Sequence, residues 1–274
     1  MGKKTVLITG ASSGIGKVTA EYLSSKGYIV YGTSRSACLP PEKQTDISFH
    51  LIQMDVNSSA SVKKTIDFIL EKEHKIDVVI NNAGWGIAGS IEETSIQKTK
   101  TLFETNYFGT QRVCQAVLPS MRRKKNGCII NISSIGGVLG LPFQGIYSAT
   151  KFAVEALTET LRMEVYPFGI QVVLIEPGDF KTAFTTNREK IIQKTKHSPY
   201  TSVQTKATTI FERDEQQGSS PQSIAILIEK IIQSSHPKLR YRTGSFSQKL
   251  AAKMKGVLPD RFVQWVLMKY YHLI

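Results

Sequence analysis

The chain has 274 residues, a formal net charge of +13 and three cysteines. This length suits one large α/β domain over residues 1–274 with a sizeable core, and it argues against two complete domains. Because Cys38, Cys114 and Cys128 are odd in number and widely spaced, neither a disulfide framework nor a metal site is indicated, and a reducing, cytoplasmic setting is favoured. No apolar run has the length of a secretion signal or a membrane span, so we expect neither.

The positive charge is concentrated at the carboxyl end. From His236 onward the sequence has eight lysines and arginines against one aspartate, so this tail holds seven of the excess charges. Net charge alone is compatible with a nucleic-acid partner. No array of aromatic residues for base stacking accompanies the tail, so we expect no nucleic-acid binding.

Short apolar runs alternate with longer segments of helical periodicity along most of the chain. The runs typical of buried parallel strands are KTVLI, YIVYGT, ISFHLIQ, IDVVIN, GCIINIS and IQVVLIE. Helical spacing predicts helices over residues 15–26, 60–73, 96–123 and 147–166. A further helix in SPQSIAILIEKIIQ precedes a seventh strand near residues 239–243. The alternation predicts an α/β fold of the Rossmann type, a doubly wound parallel sheet of seven strands flanked by helices.

The first strand runs directly into the glycine-rich loop TGASSGIG, residues 9–16. Its glycines allow a tight turn and a close approach of the backbone to a pyrophosphate, and the following helix directs unpaired amides toward it. Such a loop can also be only a turn. Its position after the first strand nevertheless predicts a dinucleotide site, formed by Gly10, Ser12, Ser13, Gly14, Ile15 and Gly16.

The ends of the next strands supply further candidate cofactor residues. An acid after the second strand would bind a ribose 2′-hydroxyl, whereas this sequence has Ser34 and Arg35, which suit a 2′-phosphate. We therefore predict NADP(H), the alternative being a solvated surface arginine. After the third strand Asp55 and Val56 are expected at the adenine. The fourth strand ends in NNAG, where Asn81 is either structural or in contact and the expected cofactor residues are Asn82, Ala83 and Gly84.

The segment SSIGGVLGLPFQGIYSATK, residues 133–151, has the residues for carbonyl chemistry. Lys151 follows Tyr147 by four positions, which places both on one helix face and the ammonium beside the phenol. A nearby cation favours the phenolate and lowers the pKa of tyrosine from its reference value of about 10. A carbonyl that accepts a hydride also needs a proton and a group that holds its oxygen. A tyrosine at a helix start can alternatively be a core aromatic.

The ordered set TGxxxGIG, NNAG, Asn106, Ser134, Tyr147-x-x-x-Lys151 and PG resembles the short-chain dehydrogenase/reductase family over residues 4–182. The segment around Tyr147 is most similar to the 17β-hydroxysteroid and retinol dehydrogenase branch. The resemblance implies that Tyr147 transfers the proton and that Ser134, rather than Ser133, holds the oxygen. It implies cofactor contacts from Tyr147, Lys151, Pro177, Gly178 and Thr182, and a water held by Asn106 that links Lys151 to solvent. By analogy a homodimer or homotetramer forms through the helices that begin at residues 96 and 147.

Apolar residues between the catalytic pair and after NNAG are expected to form the substrate site, although ordinary packing would also explain them. They are Trp85, Val138, Leu139, Leu141, Pro142, Phe143, Phe180 and Phe184. We therefore predict hydride transfer between the nicotinamide and a lipophilic carbonyl or secondary alcohol, such as a steroid, a retinoid or another ketone. The alternative is a noncatalytic dinucleotide sensor or scaffold.

Two later segments remain open at this stage. Residues 179–220 are polar, show no clear helix or strand, and are predicted to be a mobile lid over the site. Residues 245–274 form a basic helical extension in which Pro259 separates two helices. The extension could cover the substrate cleft, join two subunits or lie on an anionic membrane surface, so the predicted location is cytoplasmic, free or peripheral to a membrane.

Overall fold

The computed structural model describes residues 3–36, 48–191 and 198–274. Cys38 and the beginning of the third predicted strand, at Ile47, lie outside these ranges. Seven parallel strands form the main sheet in the order β3-β2-β1-β4-β6-β7-β9. They are β1 (Thr5–Ile8), β2 (Ile29–Ser34), β3 (His50–Gln53), β4 (Val78–Asn81), β6 (Gly127–Ile132), β7 (Ile170–Pro177) and β9 (Arg240–Thr243). The order reverses next to β1, which confirms the predicted doubly wound fold.

Helices cover both faces of this sheet. One face packs against α1 (Gly14–Ser25) and α8 (Gln222–Gln233), and its core includes Val6, Leu23 and Ile228. The other face packs against α2 (Ser59–Glu73), α4 (Gly109–Lys124) and α5 (Gly145–Glu164). The strands of the sheet centre are buried on both sides, which explains why they read as continuous apolar runs.

The predicted helix over residues 96–123 is one continuous rod with a change of geometry in its middle. The segment α3 (Ile96–Phe103) is followed by a π-helical turn, Glu104–Phe108, and then by α4. Ser95 begins the rod as a side-chain cap, since its hydroxyl accepts the amide of Lys98. The π-helical turn contains Asn106, and such turns occur often at functional sites.

Residues 179–220 are more regular than the sequence indicates. They include the short helix α6 (Phe184–Asn187), the two-residue strand β8 (Glu189–Lys190) and the 16-residue helix α7 (Thr201–Gln216). Strand β8 pairs with β5 (Ile87–Ala88) in a small separate sheet. The expectation of no clear helix or strand is therefore wrong for this segment.

The carboxyl-terminal extension consists of two helices on either side of Pro259, as predicted. They are α9 (Phe246–Met254) and α10 (Asp260–Tyr270). In the part of the chain that the structure describes, no helix is both long and apolar enough to cross a membrane.

Candidate active site

The glycine-rich loop forms a close cradle between the ends of β1 and β4. Gly10 has a φ angle of 67°, and a Cβ atom on it would lie 2.8 Å from Cα of Ala83. A Cβ atom on Gly16 would collide with the carbonyl oxygen of Gly10. Only glycine fits such positions, because the backbone itself occupies the space of a side chain. Residues described here provide no side-chain cap for α1, so its first amides are available to a phosphate.

Asn82 ties this loop to the end of β4. Its side-chain amide donates to the carbonyl oxygens of Thr9 and Gly10 at 3.0 Å each. The hydroxyl of Thr9 in turn accepts the backbone amides of Asn82 and Ala83. Asn82 therefore shapes the cradle, and its side chain is already occupied by the loop.

One cavity of about 1120 Å³ runs from this cradle to the carboxyl-terminal helices. It brings most of the predicted residues together. Those in its wall are Gly10, Ser12, Ser13, Gly14, Ile15, Ser34, Arg35, Val56, Asn82, Ala83, Gly84, Ser134, Tyr147, Lys151, Pro177, Gly178 and Thr182. Gly16, Asp55 and Asn106 lie behind this wall.

The residues after β2 and β3 differ in their access to the cavity. Arg35 is exposed, borders the cavity with Ser34, and has its backbone carbonyl bound by the side-chain amide of Gln53. Asp55 instead closes its own loop, because one carboxylate oxygen accepts the amide of Asn57 at 3.0 Å. A guanidinium, and no carboxylate, therefore borders this corner among the described residues.

Ser134, Tyr147 and Lys151 converge where β6 and α5 meet. The ammonium nitrogen of Lys151 donates to the carbonyl oxygen of Ile132 at 2.8 Å and lies 5.8 Å from the centroid of the Tyr147 ring. The hydroxyl of Ser134 contacts Tyr147 and accepts the amide of Gly136. These contacts hold two hydroxyls and one ammonium at a single point of the cavity wall.

Asn106 acts as a clamp behind the catalytic helix. Its amide group donates to the carbonyl oxygen of Trp85 and to the hydroxyl of Thr150, and its oxygen accepts the amide of Trp85. The side chain is buried and fully engaged by these contacts. It therefore fixes the loop after β4 against α5, and the geometry brings no part of this side chain into the cavity.

Burial dominates the acidity of Tyr147 and Lys151. It raises the pKa of Tyr147 to about 12, against smaller lowering effects of the Ser134 hydroxyl and the Arg188 cation. Burial also lowers the pKa of Lys151 to about 8, against a smaller raising effect of Glu155. The predicted lowering of the Tyr147 pKa by Lys151 is therefore not found in this arrangement, because the lowering effects come from Ser134 and Arg188 and desolvation outweighs them.

A buried ionic network lies one helical turn below Lys151. Glu155 and Glu176 are both buried, and the guanidinium of Arg240 binds them at 3.0 and 3.1 Å. Arg242 also pairs with Glu176. Ser133 is not at the cavity's oxygen-holding position, since its amide donates to Ile175 and its hydroxyl lies beside Glu155. The sequence analysis missed this network because it joins α5, β7 and β9, which are distant in the chain.

The substrate end of the cavity is partly as expected. Its predicted apolar wall is confirmed for Trp85, Leu139, Leu141, Phe180 and Phe184. Phe184 packs on Tyr147 with ring centroids 5.6 Å apart. The expectation is wrong for three residues of the loop after β6, which lie outside the wall: Val138, Pro142 and Phe143. Val138 offers its carbonyl oxygen to Lys255, and Phe143 packs against Tyr200.

Helices α7 and α10 complete this end of the cavity. The residues that they add, all missed in the sequence, are Phe211, Asp214, Glu215, Val266, Leu267, Tyr270 and Tyr271. A usable signal was present in α7, where Ala207, Ile210 and Phe211 recur at helical spacing and are all buried. Helix α10 thus covers the cleft, which was one of the three alternatives for the extension.

A buried cation, Arg188, joins the residues around α6 and α7. The Arg188 side chain is fully buried, pairs with Glu215, and has its guanidinium carbon 5.2 and 4.6 Å from the ring centroids of Phe184 and Phe211. Thr185 donates to the other oxygen of Glu215 at 2.6 Å. Asp179 lies nearby, and burial together with the Glu215 charge raises its pKa to about 6. Acidic groups therefore border the chamber beyond Tyr147.

The sequence model of short chain dehydrogenases matches residues 4–192. The chain belongs to the short-chain dehydrogenase family. It is 43% identical to the 3-ketodihydrosphingosine reductase of Bacteroides thetaiotaomicron, over 99% of each chain. It is 34% identical to retinol dehydrogenase 8 of Bos taurus, over 88% of this chain and 82% of that protein.

Other relatives agree with this assignment. Human 17-beta-hydroxysteroid dehydrogenase type 1 is 33% identical, over 89% of this chain and 78% of that protein. A short-chain dehydrogenase structure from Streptomyces avermitilis has 31% identity and a TM-score of 0.75, covering 93% of this chain and 96% of its own. The predicted family is confirmed, a retinol dehydrogenase and a hydroxysteroid dehydrogenase are among the relatives that the chain resembles, and the chain is an oxidoreductase of this family.

Proposed function

We propose that this short-chain dehydrogenase uses NADPH to reduce a lipophilic ketone, and that 3-ketodihydrosphingosine is its type of substrate. The observation that carries the proposal is the single cavity that joins the glycine cradle, the convergent Ser134, Tyr147 and Lys151, and a chamber with apolar walls and an acidic end. The cradle leaves room for a pyrophosphate but not for side chains, which fits a dinucleotide. A related structure of 28% identity has NADP bound, and Arg35 supports the same cofactor here.

Three residues of the chain share the transfer of the proton and the stabilisation of the charge that it leaves. The bound dinucleotide would supply the hydride. Tyr147, protonated at neutral pH because of its raised pKa, gives its hydroxyl proton to the carbonyl oxygen, and Ser134 donates a hydrogen bond that holds this oxygen. The Lys151 ammonium then stabilises the tyrosinate that remains. Gly10, Gly14 and Arg35 would hold the cofactor phosphates, with Lys151 at the nicotinamide ribose.

The two kinds of wall support a substrate with two kinds of surface. In 3-ketodihydrosphingosine the ketone lies between a long saturated chain and a head with an amino and a hydroxyl group. Apolar side chains such as Leu139, Phe184 and Leu267 suit the alkyl chain, whereas the carboxylates of Asp179 and Asp214 suit a protonated amine. The proposal agrees with the named activity of the Bacteroides relative, which this chain matches over 99% of its length.

We place the protein in the cytoplasm as a homo-oligomer. Cys114 and Cys128 are free and buried, which is typical of a reducing setting. On α5, Phe152 is exposed to 39%, and next to α4 Phe108 is exposed to 43%, which supports an apolar contact between copies along these helices. Analytical sedimentation of the full chain, which measures its mass in solution, tests the homo-oligomer. A monomeric mass at all protein concentrations would exclude it.

The proposed function is tested by cofactor titration followed by turnover. NADPH and NADH are titrated by fluorescence, and the protein is then given 3-ketodihydrosphingosine, retinal and a ketosteroid separately. We expect tighter binding of NADPH and a kcat/KM that is highest for the sphingoid ketone. A higher kcat/KM for retinal or for the steroid would show that the sphingoid ketone is not the substrate type. Binding of a dinucleotide without turnover of any ketone would favour the noncatalytic sensor. Absence of binding of either dinucleotide would overturn the proposal.

A further inference from the structure

We propose that the outer face of α9 and α10 docks on an anionic membrane surface beside the mouth of the substrate cavity. Eight of the seventeen large apolar side chains exposed in the described residues belong to this final segment. We call them the carboxyl-terminal apolar surface: Phe246, Leu250, Val257, Phe262, Trp265, Val266, Tyr270 and Ile274. A monomer in water rarely exposes so many large apolar side chains within one short segment of chain without a partner.

The apolar side chains of this surface follow one stripe along α10. Phe262, Trp265 and Val266 have the i, i+3, i+4 spacing of one helix face, and Lys269 continues the same face. The rings of Phe262 and Trp265 stack with centroids 6.0 Å apart, and the Lys269 ammonium lies 5.6 Å from the Trp265 ring. Apolar rings bordered by a flexible cation are the pattern of helices that lie in a membrane interface.

The charge of the segment identifies the partner. Residues 246–274 contain five cations against one acid, Asp260, and none of the five forms an ion pair with a carboxylate in the described part of the chain. The cations are Lys249, Lys253, Lys255, Arg261 and Lys269. A second copy docking here would bring two positive surfaces together, which is repulsive. An anionic lipid surface is attractive, by about fivefold in affinity for each cation near it.

The same helix forms part of the cavity wall. Leu267 and Tyr271 face inward, and Tyr271 is buried against Phe211 and Ala207. Val266 belongs both to the cavity wall and to the exposed surface, so the membrane side and the cavity mouth adjoin. The purpose of the surface, to admit a long alkyl chain from the bilayer, rests on the function proposed above, whereas its attraction to lipid does not.

The test measures sedimentation of the full chain with vesicles, in the absence of cofactor and substrate. One set of vesicles is phosphatidylcholine, and the other is phosphatidylcholine and phosphatidylglycerol in equal parts. We expect binding to the anionic set that weakens with salt, and little binding to the neutral set. Trp265 is one of two tryptophans in the chain, so its fluorescence should shift to shorter wavelength on binding.

Two double variants separate the apolar and electrostatic contributions. Phe262→Ser with Trp265→Ser should weaken binding at least about 10-fold, through the loss of buried apolar area. Arg261→Gln with Lys269→Gln should weaken it about 25-fold, at about fivefold for each cation. Matched controls on other faces, Tyr166→Ser and Lys64→Gln, should bind as the unmodified chain does. An unchanged melting temperature and unchanged NADPH titration show that each variant is folded.

Each other outcome overturns the docking surface. Sedimentation that is equal for neutral and anionic vesicles, or equal for the variants and the unmodified chain, excludes it. No sedimentation with anionic vesicles at low salt excludes it as well, and a variant that converts a dimer to a monomer would assign the face to self-association. Failure of the proposed function gives a different result: the protein would still bind anionic vesicles but would reduce none of the tested ketones.

Discussion

The cofactor half and the substrate half of this cavity are built in different ways. The cofactor half uses short contiguous motifs at the ends of β1, β2 and β4, and the hydrogen bonds of Asn82 and Thr9 join the first of these motifs to the last. The substrate half is assembled from α6 and α7, which the Arg188–Glu215 pair joins, and from α10, which lies far from both in the chain. Changes in the first half should therefore affect all substrates equally, whereas changes in the second should distinguish between them.

The largest expected effect lies at the junction of the two halves. Tyr147→Phe removes the hydroxyl that gives the proton, so kcat should fall about 1000-fold for every ketone. NADPH affinity should remain nearly unchanged, because this hydroxyl contributes little to cofactor binding. Stopped-flow turnover and fluorescence titration check the two parts. Tyr166→Phe, at an exposed tyrosine, is the matched control; substantial residual activity in the Tyr147 variant would move the proton donor elsewhere.

In the cofactor half, Arg35→Asp should change the choice of dinucleotide. Loss of a charge-assisted contact and repulsion of the 2′-phosphate should reduce the NADPH to NADH preference roughly 10- to 100-fold. The change should be the same with the sphingoid ketone and with retinal. Ratios of kcat/KM for the two cofactors check this, with Arg123→Asp as an exposed control. An unaltered ratio would place the phosphate away from Arg35.

In the substrate half, Asp179→Asn should discriminate between substrates. Removal of the carboxylate should raise KM about 10-fold for the amino ketone and leave retinal unaffected, because only the first offers an ammonium. In the unmodified protein kcat/KM for the amino ketone should likewise fall as pH falls through about 6, where Asp179 gains a proton. Initial rates with both ketones check this. Equal losses for both would contradict the division between the halves.

The smallest effect concerns the network below Lys151. The kcat/KM of reduction should decrease above about pH 8, as Lys151 loses its proton and the positive charge beside Tyr147 disappears. Glu155 raises the pKa of Lys151, so Glu155→Gln should move this decrease to lower pH. Glu159→Gln is the matched control, since Glu159 shares Arg240 but is exposed. If the pH profile is identical in the unmodified protein and both variants, Glu155 does not influence the pKa of Lys151.

The same contrast explains what the sequence could predict. The alternation of strands and helices, the glycine-rich loop and the Tyr147–Lys151 pair depend on neighbours a few residues apart, so spacing is sufficient to identify them. The Glu155, Glu176 and Arg240 network and the α7 and α10 walls depend on contacts between distant segments, which spacing does not give. The direction of the Tyr147 pKa shift was missed for a related reason: spacing locates a nearby cation, whereas the largest cause of the shift is desolvation, which depends on the whole surrounding packing.

The π-helical turn at Glu104–Phe108 departs from regular α-helix geometry, and it places Asn106 where its side chain holds the surrounding segments together. Deletion of one residue there would restore a regular α-helix and would leave the direction that α4 faces nearly unchanged, because a π-helical turn takes up one extra residue within the helix. Val113, Val117 and Met121 would keep their places in the core, whereas Asn106, which lies in the turn itself, would lose its position opposite Thr150. A directed-evolution or consensus library that favours a regular α-helix would therefore discard functional sequences at this turn. Insertions and deletions should be tolerated in surface loops before they are tolerated here.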